Sequence, residues 1–142
     1  MKLSTFQSKA FECYKKGENV FITGPGGSGK SELIKLIVED AKKEEKKCCV
    51  CALTGCACVL LKCNAKTIHS WAGIGLCNGP IDKIVTDVSR NKFKRNKWKS
   101  VDILIIDEVS MMSYKLFHAL NMIAKKCRMN TKHFGGIQVI FS

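Results

Sequence analysis

The sequence predicts an α/β fold, a parallel sheet with helices packed on both of its faces. Three observations predict it. Short apolar runs near residues 19–23, 48–53, 101–107 and 137–141 alternate with segments of helical periodicity, the pattern of strands joined by crossover helices. A glycine-rich stretch, Gly24 to Gly29, breaks the first apolar run and opens a helix. The third run, Ile103-Leu104-Ile105-Ile106, is apolar at consecutive positions and ends in Asp107-Glu108, as a strand covered on both faces and emerging at one edge would be.

Taken in order, Thr5 to Lys16 places Phe6, Ala10, Phe11 and Tyr14 on one helical stripe that Gly17 stops, and Ser4-x-x-Gln7 can form a capping box at its start. Asn19 to Thr23 reads as a buried strand. Leu33, Ile34, Leu36, Ile37 and Ala41 continue as a helix that runs out in the solvated stretch Lys42 to Lys47. Cys48 to Leu53 is the second strand, Gly55 to Leu61 a short helix, and Thr67 to Gly75 a loop rich in small residues. Ile81, Ile84, Val85 and Val88 stand at helical spacing. Val101 to Asp107 is the third strand, Tyr114 to Cys127 a helix with Phe117, Leu120 and Ile123 or Ala124 inward, and Ile137 to Phe141 the fourth strand.

At 142 residues the chain has room for one domain, and 46% hydrophobic with 25% charged residues is a globular balance. Lys and Arg number 24 against 12 Asp and Glu, a net charge of +12 that points to a polyanionic partner, nucleic acid before membrane. No apolar run approaches the ~20 residues of a membrane span, and no secretory signal precedes the first helix. These features predict an intracellular protein, nuclear or cytoplasmic. Nine cysteines, an odd number at irregular spacing, do not form a disulfide framework. Cys48-x-x-Cys51 lacks a matching second pair, since four residues separate Cys58 from Cys63. Cysteine is therefore expected as a small buried hydrophobe, with no zinc.

Gly24-Pro25-Gly26-Gly27-Ser28-Gly29-Lys30-Ser31 fits the phosphate-binding pattern G-x-x-x-x-G-K-[ST] in the strand-to-helix context the pattern requires. Glycines let successive backbone N–H groups close around phosphate oxygens, and the helix that starts near Lys30 adds the positive end of its dipole. Lys30 reaches the β- and γ-phosphates, and the Ser31 hydroxyl binds Mg²⁺. Asp107, at the carboxyl end of an apolar strand, suits the same ion, and Glu108 suits a general base that polarises the attacking water. Together these make the chain a P-loop NTPase.

The residues then carry a more specific resemblance. Leu3-Ser4-Thr5-Phe6-Gln7 with Ala10-Phe11, the phosphate loop, Ala52-Leu53-Thr54-Gly55-Cys56-Ala57, and Thr67-Ile68-His69-Ser70-Trp71-Ala72-Gly73-Ile74-Gly75 stand in one order. Leu104-Ile105-Ile106-Asp107-Glu108-Val109-Ser110-Met111-Met112 and Phe134-Gly135-Gly136-Ile137-Gln138-Val139-Ile140-Phe141-Ser142 complete it. This succession resembles the PIF-type 5′-to-3′ DNA helicases, superfamily-one motors related to RecD, over nearly the whole chain. The resemblance implies a RecA-like ATPase sheet, ATP with Mg²⁺, single-stranded or forked DNA as partner, and work in DNA repair, recombination and telomere maintenance; the residues do not fix the oligomeric state, for which a monomer is the expectation. It also implies an adenine contact at Gln7, whose amide can donate to N7 and accept from N6, beside its capping role. DNA contacts are implied around Thr54 and Gly55 and at Thr67, His69, Ser70 and Trp71, where Trp71 or His69 offers a stacking face unless it belongs to the core.

Arg90 to Lys99 holds six basic residues with Phe93 and Trp98 between them, either a nucleic-acid patch or a solvated helix end with Trp98 buried. The family's third-motif Gly-Asp and Gln, its second RecA-like domain and its arginine fingers have no counterpart in these residues, so residues 1–142 are expected to be a RecA-like domain cut before completion. Loss of an arginine finger alone removes on the order of 10³–10⁵ in phosphoryl-transfer rate. The 142 residues by themselves are thus expected to bind ATP without unwinding DNA. The other readings are a non-catalytic nucleotide- or DNA-binding remnant of a split helicase, and a small-molecule P-loop kinase, which the motifs after the phosphate loop disfavour.

Overall fold

Five strands, β1 (Val20–Phe21), β2 (Cys48–Ala52), β3 (Lys66–Thr67), β4 (Ile103–Asp107) and β5 (Gln138–Phe141), form one parallel sheet in the spatial order β1-β5-β4-β2-β3. The computed structural model describes residues 4–23, 29–61 and 63–142. The helices are α1 (Thr5–Lys15), α2 (Lys30–Lys43), α3 (Gly55–Leu61), α4 (Ile68–Ala72), α5 (Ile81–Arg90), α6 (Lys92–Ser100) and α7 (Tyr114–Arg128).

Strand β4 explains the layering. Its side chains alternate between faces, so Leu104 and Ile106 enter one core with α4 to α7, while Ile103 and Ile105 enter a second core with α1 to α3. All four are buried, which is why the run is apolar without interruption. Leu33, Ile34 and Ile37 of α2 fill the second core, and Leu116, Leu120, Ile123 and Ala124 of α7 the first.

Three sequence expectations change. Thr67 to Gly75 is not a loop: Lys66 and Thr67 pair with Cys51 and Ala52 as a fifth strand. The Thr67 hydroxyl then accepts from Ser70 N–H at 3.3 Å to cap α4, which ends on left-handed Gly73. A two-residue strand and a five-residue helix are shorter than the runs over which either periodicity can be recognised. In α1 the buried stripe is Gln7, Ala10 and Tyr14, with Phe6 41% exposed, because the Gln7 amide has partners inside the fold. In α7, Leu116 and both Ile123 and Ala124 point inward. Phe117 is 37% exposed and meets Phe134 and Phe141 edge-on.

The basic run forms a helix of its own, capped where Asn91 Oδ1 accepts from Lys94 N–H at 3.1 Å. Trp98 is fully buried, donates its indole N–H to Ala72 O at 3.3 Å, and lies 4.7 Å from Trp71 between ring centroids. Arg128 closes the end of α6: its Nη1 donates to the carbonyls of Trp98, Lys99 and Val101 at 3.0, 2.9 and 3.0 Å, and its Nε to Gly135 O at 2.8 Å. Carbonyls of a last helical turn lack intrahelical partners, and the guanidinium supplies them.

Helix α1 is fixed to α2 by the Tyr14 hydroxyl, which donates to Asp40 Oδ2 at 2.8 Å, and by Lys15 Nζ at 3.2 Å from the same carboxylate. Burial, then the hydrogen bond to Asp40, pushes the Tyr14 phenol above its ordinary pKa. At Asp40 burial pushes upward, yet the hydrogen bonds from Tyr14 and Lys15 outweigh it and leave the carboxyl below its usual value. A depressed folded pKa contributes stability that is present above the unfolded value and lost as pH falls through the folded one. Tyr14→Phe is expected to lower unfolding free energy by about 1–2 kcal/mol at pH 7. Asp40→Asn should lose most at neutral pH and least under acid, and urea midpoints at several pH values measure both.

Candidate active site

Parallel strands bring all their carboxyl ends to one edge of the sheet, and every site residue singled out from the sequence that lies among the described residues stands at or near that edge. A cleft of about 410 Å³ opens there over β1, β5 and β4, lined by Thr23, Lys30, Asp107, Glu108, Ser110 and Ser142 among others.

On one wall, Gly29 adopts a left-handed conformation (φ 85°) and hands the chain to α2 at Lys30. No side chain among the described residues caps α2, so its first N–H groups retain their donor capacity at the positive end of the helix. Ser31 is exposed in this first turn. The ion pairs among the described residues involve Lys15 and Lys35, not Lys30. Gly24, Pro25, Gly26, Gly27 and Ser28 lie outside the described residues.

Gln7 joins α1 to this wall. Ser4 Oγ accepts from Gln7 N–H at 3.1 Å and Gln7 Oε1 accepts from Ser4 N–H at 2.9 Å, so the capping box forms as the spacing implies. The Gln7 Nε2 donates to Gly29 O at 3.0 Å, and the side chain is buried, with the residue 8% exposed. One N–H and one lone pair of the amide stay uncommitted in these bonds.

The opposite wall is the end of β4. Asp107 is half-buried and stands in register with Ala52 of β2. Glu108 follows in a left-handed conformation (φ 60°, ψ 35°), a strained state for a non-glycine residue. Its Oε1 accepts from Thr54 N–H at 3.1 Å and from the Thr54 hydroxyl at 2.9 Å. Between the walls, Ser142 N–H donates to Ile106 O and Val109 N–H to Ser142 O, both at 2.9 Å. The Ser142 hydroxyl is buried without a hydrogen-bond partner among the described residues, an orphan that a polar ligand in the cleft would satisfy. A cationic Lys30, free helix N–H groups, a hydroxyl at Ser31 and two carboxylates form a donor set that fits a magnesium-bound triphosphate.

Farther along the edge stand the candidate strand contacts. Thr54 Oγ1 accepts from Ala57 N–H at 3.3 Å to open α3, and Gly55 is exposed beside it. Thr67 ends β3, Ser70 is exposed on α4, and His69 is half-exposed. Trp71 corrects the sequence reading: it is 5% exposed and packed edge-on against Trp98 in the core, so it offers no stacking face. Phe93, the other aromatic of the basic run, is 83% exposed. No group of three or more potential metal-binding side chains is assembled among the described residues, and every cysteine is free.

A family model described as "PIF1-like helicase" matches residues 2–142. The chain belongs to the PIF1-like helicase family. It is 41% identical to the ATP-dependent DNA helicase PIF1 of Emericella nidulans over 132 residues, which cover 89% of this chain and 17% of that protein. A crystal structure of Pif1 helicase from Candida albicans superposes with a TM-score of 0.90 at 37% identity, covering 99% of this chain and 32% of that one. Pif1 helicase from Bacteroides in complex with ADP-AlF3 and ssDNA superposes at 0.79 with 31% identity, again over 99% and 32%. The chain thus spans about a sixth of the curated relatives' length. The RecA-like domain of the PIF1-like helicases matches the five-stranded parallel sheet seen here.

In this PIF1-like chain, two site features escape a reading of the sequence. The bond from Thr54 to Glu108 spans 54 residues and depends on β2 lying beside β4, which chain order does not reveal. The tether from Gln7 to Gly29 likewise needs α1 to dock before its direction is defined. A Cβ at Gly29 would collide with the Gln7 amide nitrogen and would also have to adopt φ 85°. Gly29→Ala is therefore expected to cost about 1–3 kcal/mol of stability, read in thermal melts. Combining it with Gln7→Ala relieves the collision but not the backbone strain, so only part of the loss should return.

Proposed function

We propose that this chain is the ATP-binding and ATP-hydrolysing amino-terminal portion of a DNA helicase that translocates 5′ to 3′ on single-stranded or forked DNA. The supporting observation is the order along the sheet edge, in which Lys30, Ser142, Asp107 and Glu108 line a cleft over β1, β5 and β4, and Thr54, Thr67 and Ser70 follow over β2 and β3. A nucleotide and a strand can then occupy neighbouring stretches of one edge. The complexes of Bacteroides Pif1 with ADP-AlF3 and ssDNA add to this reading.

In this reading Gly24 to Gly29 and the first N–H groups of α2 hold the phosphates, and Lys30 neutralises charge that develops on them. Ser31 and Asp107 hold Mg²⁺, which when bound neutralises phosphate charge and orients the phosphoryl group. Glu108 accepts a proton from the attacking water. Gln7 reads adenine through the amide hydrogen and lone pair that the cap and Gly29 leave unused. Thr54, Gly55, Thr67, His69 and Ser70 contact DNA phosphates through hydroxyls, a ring nitrogen and backbone N–H groups, and the +12 charge favours the approach of the strand. The protein acts as a monomer on DNA in repair, recombination and telomere maintenance. The 142 residues alone bind nucleotide without unwinding.

Lys30→Ala is expected to weaken nucleotide binding by about tenfold or more, and affinity equal to the parent in calorimetric titration would remove Lys30 from the phosphate role. In a complete helicase carrying this segment, Glu108→Gln should retain nucleotide affinity while turnover falls by roughly 10²–10⁴. Undiminished turnover would assign the base elsewhere.

A further inference from the structure

The nucleotide wall and the strand-contact stretch meet at a single pair of side chains. Thr54 follows β2, Glu108 follows β4, and the two strands are neighbours in register up to Ala52 and Asp107. Both donors of Thr54, its amide and its hydroxyl, converge on one oxygen of Glu108, at 3.1 and 2.9 Å. The same hydroxyl accepts from Ala57 N–H, so its lone-pair side is turned toward α3 and its single proton toward the carboxylate.

We propose that Thr54 is a positioning residue for Glu108 and that a nucleic-acid phosphate at the start of α3 releases it. The inference rests on reading Glu108 as the base and Thr54-Gly55 as a strand contact. A hydroxyl has one proton to donate, and a phosphate oxygen can only accept. A phosphate that takes the proton or the amide of Thr54 therefore takes it from Glu108. The negative charge of the phosphate also repels the carboxylate across the same short distance. Without a strand, Glu108 is held toward β2. With a strand bound, its carboxylate is free to turn into the cleft over Asp107 and Lys30, which it already lines. Hydrolysis is thereby coupled to strand binding through one threonine; the two acceptors compete for its donors, so by linkage the carboxylate weakens the strand's hold on Thr54 by the factor by which the strand weakens the carboxylate's.

Reciprocity makes the proposal testable without turnover. Affinity for a fluorescent oligothymidylate is measured by anisotropy at one fixed salt concentration for the 142-residue parent, Thr54→Val, Glu108→Ala and the double variant, with thermal melts confirming the fold of each. Glu108→Ala is expected to tighten binding about three- to tenfold when Thr54 is present and less than about twofold in the Thr54→Val background, a coupling typical of residues in contact. Thr54→Ser, which keeps the hydroxyl, should reproduce the parent's response to Glu108→Ala. Equal tightening in both backgrounds means a through-space charge effect and overturns the proposal, as does a Thr54→Ser protein that behaves like Thr54→Val. A second measurement leaves position 54 intact: the side-chain carboxyl carbon resonance of Glu108 should move when the oligomer binds, because the carboxylate loses donors of Thr54, and an unmoved resonance overturns the release. Failure of the parent to bind the oligomer overturns the strand-contact reading and the coupling with it. Turnover of Glu108→Gln in the complete helicase tests the base reading separately.

Discussion

The hydrogen-bonded register of β4 between β2 and β5 is the constraint on which the candidate site depends. Cys48 to Ala52 pair with Ile103 to Asp107, and Ile103 to Ile106 with Gln138 to Phe141. Side chains alternate along a strand, so a slip of one residue would send Ile103 and Ile105 into the wrong core and turn Asp107 away from the cleft. Because Leu104 and Ile106 are buried on the other face, such a slip would exchange two packed sets at once. Burial on both faces thus sets the position of the two carboxylates more firmly than any contact they make themselves.

The remaining elements brace that edge from outside. Trp98 and Lys94 hold α4 from behind: the indole donates to Ala72 O, and the Lys94 stem lies where a side chain at Gly73 would stand. Arg128 ties the end of α6 to the turn before β5, so the strand that delivers Ser142 and the helix that supports Trp71 share one guanidinium. On the other face, Tyr14 and Asp40 dock α1 so that Gln7 reaches Gly29. Each brace joins segments far apart in sequence.

Much of this was legible in the sequence, and the limits are physical. Long periodic segments such as α2, α5 and α7 and the apolar run of β4 read directly, because their patterns repeat over several turns or run without interruption along a strand covered on both faces. Lys66 to Ala72 did not, since its strand and helix are each shorter than the pattern used to recognise them. From the sequence Trp71 stays open between core and stacking face, and Phe6 is misassigned, for opposite reasons. Trp71 has a partner, Trp98, that only the fold brings near, and Phe6 yielded the interior to a glutamine whose amide is bonded at both ends. Sequence pattern ranks residues by hydrophobicity, whereas the fold also credits polar groups that find their partners. Strand order was the largest hidden quantity, and it decides that Thr54 meets Glu108.

The cysteine content takes a different meaning once burial is known. Desolvation pushes the Cys48 thiol up to about 12, and it also raises Cys51, Cys58, Cys63 and Cys127 above their ordinary value. The thiolate is the form that attacks disulfides and oxidants. These five side chains therefore stay protonated at neutral pH and act as compact apolar packing around β2, α3 and α7. Cys56 is exposed in the first turn of α3, two residues beyond Thr54. The fold thus places an accessible sulfur beside the stretch proposed to bind the strand, where a small spectroscopic label would report on it without disturbing either core.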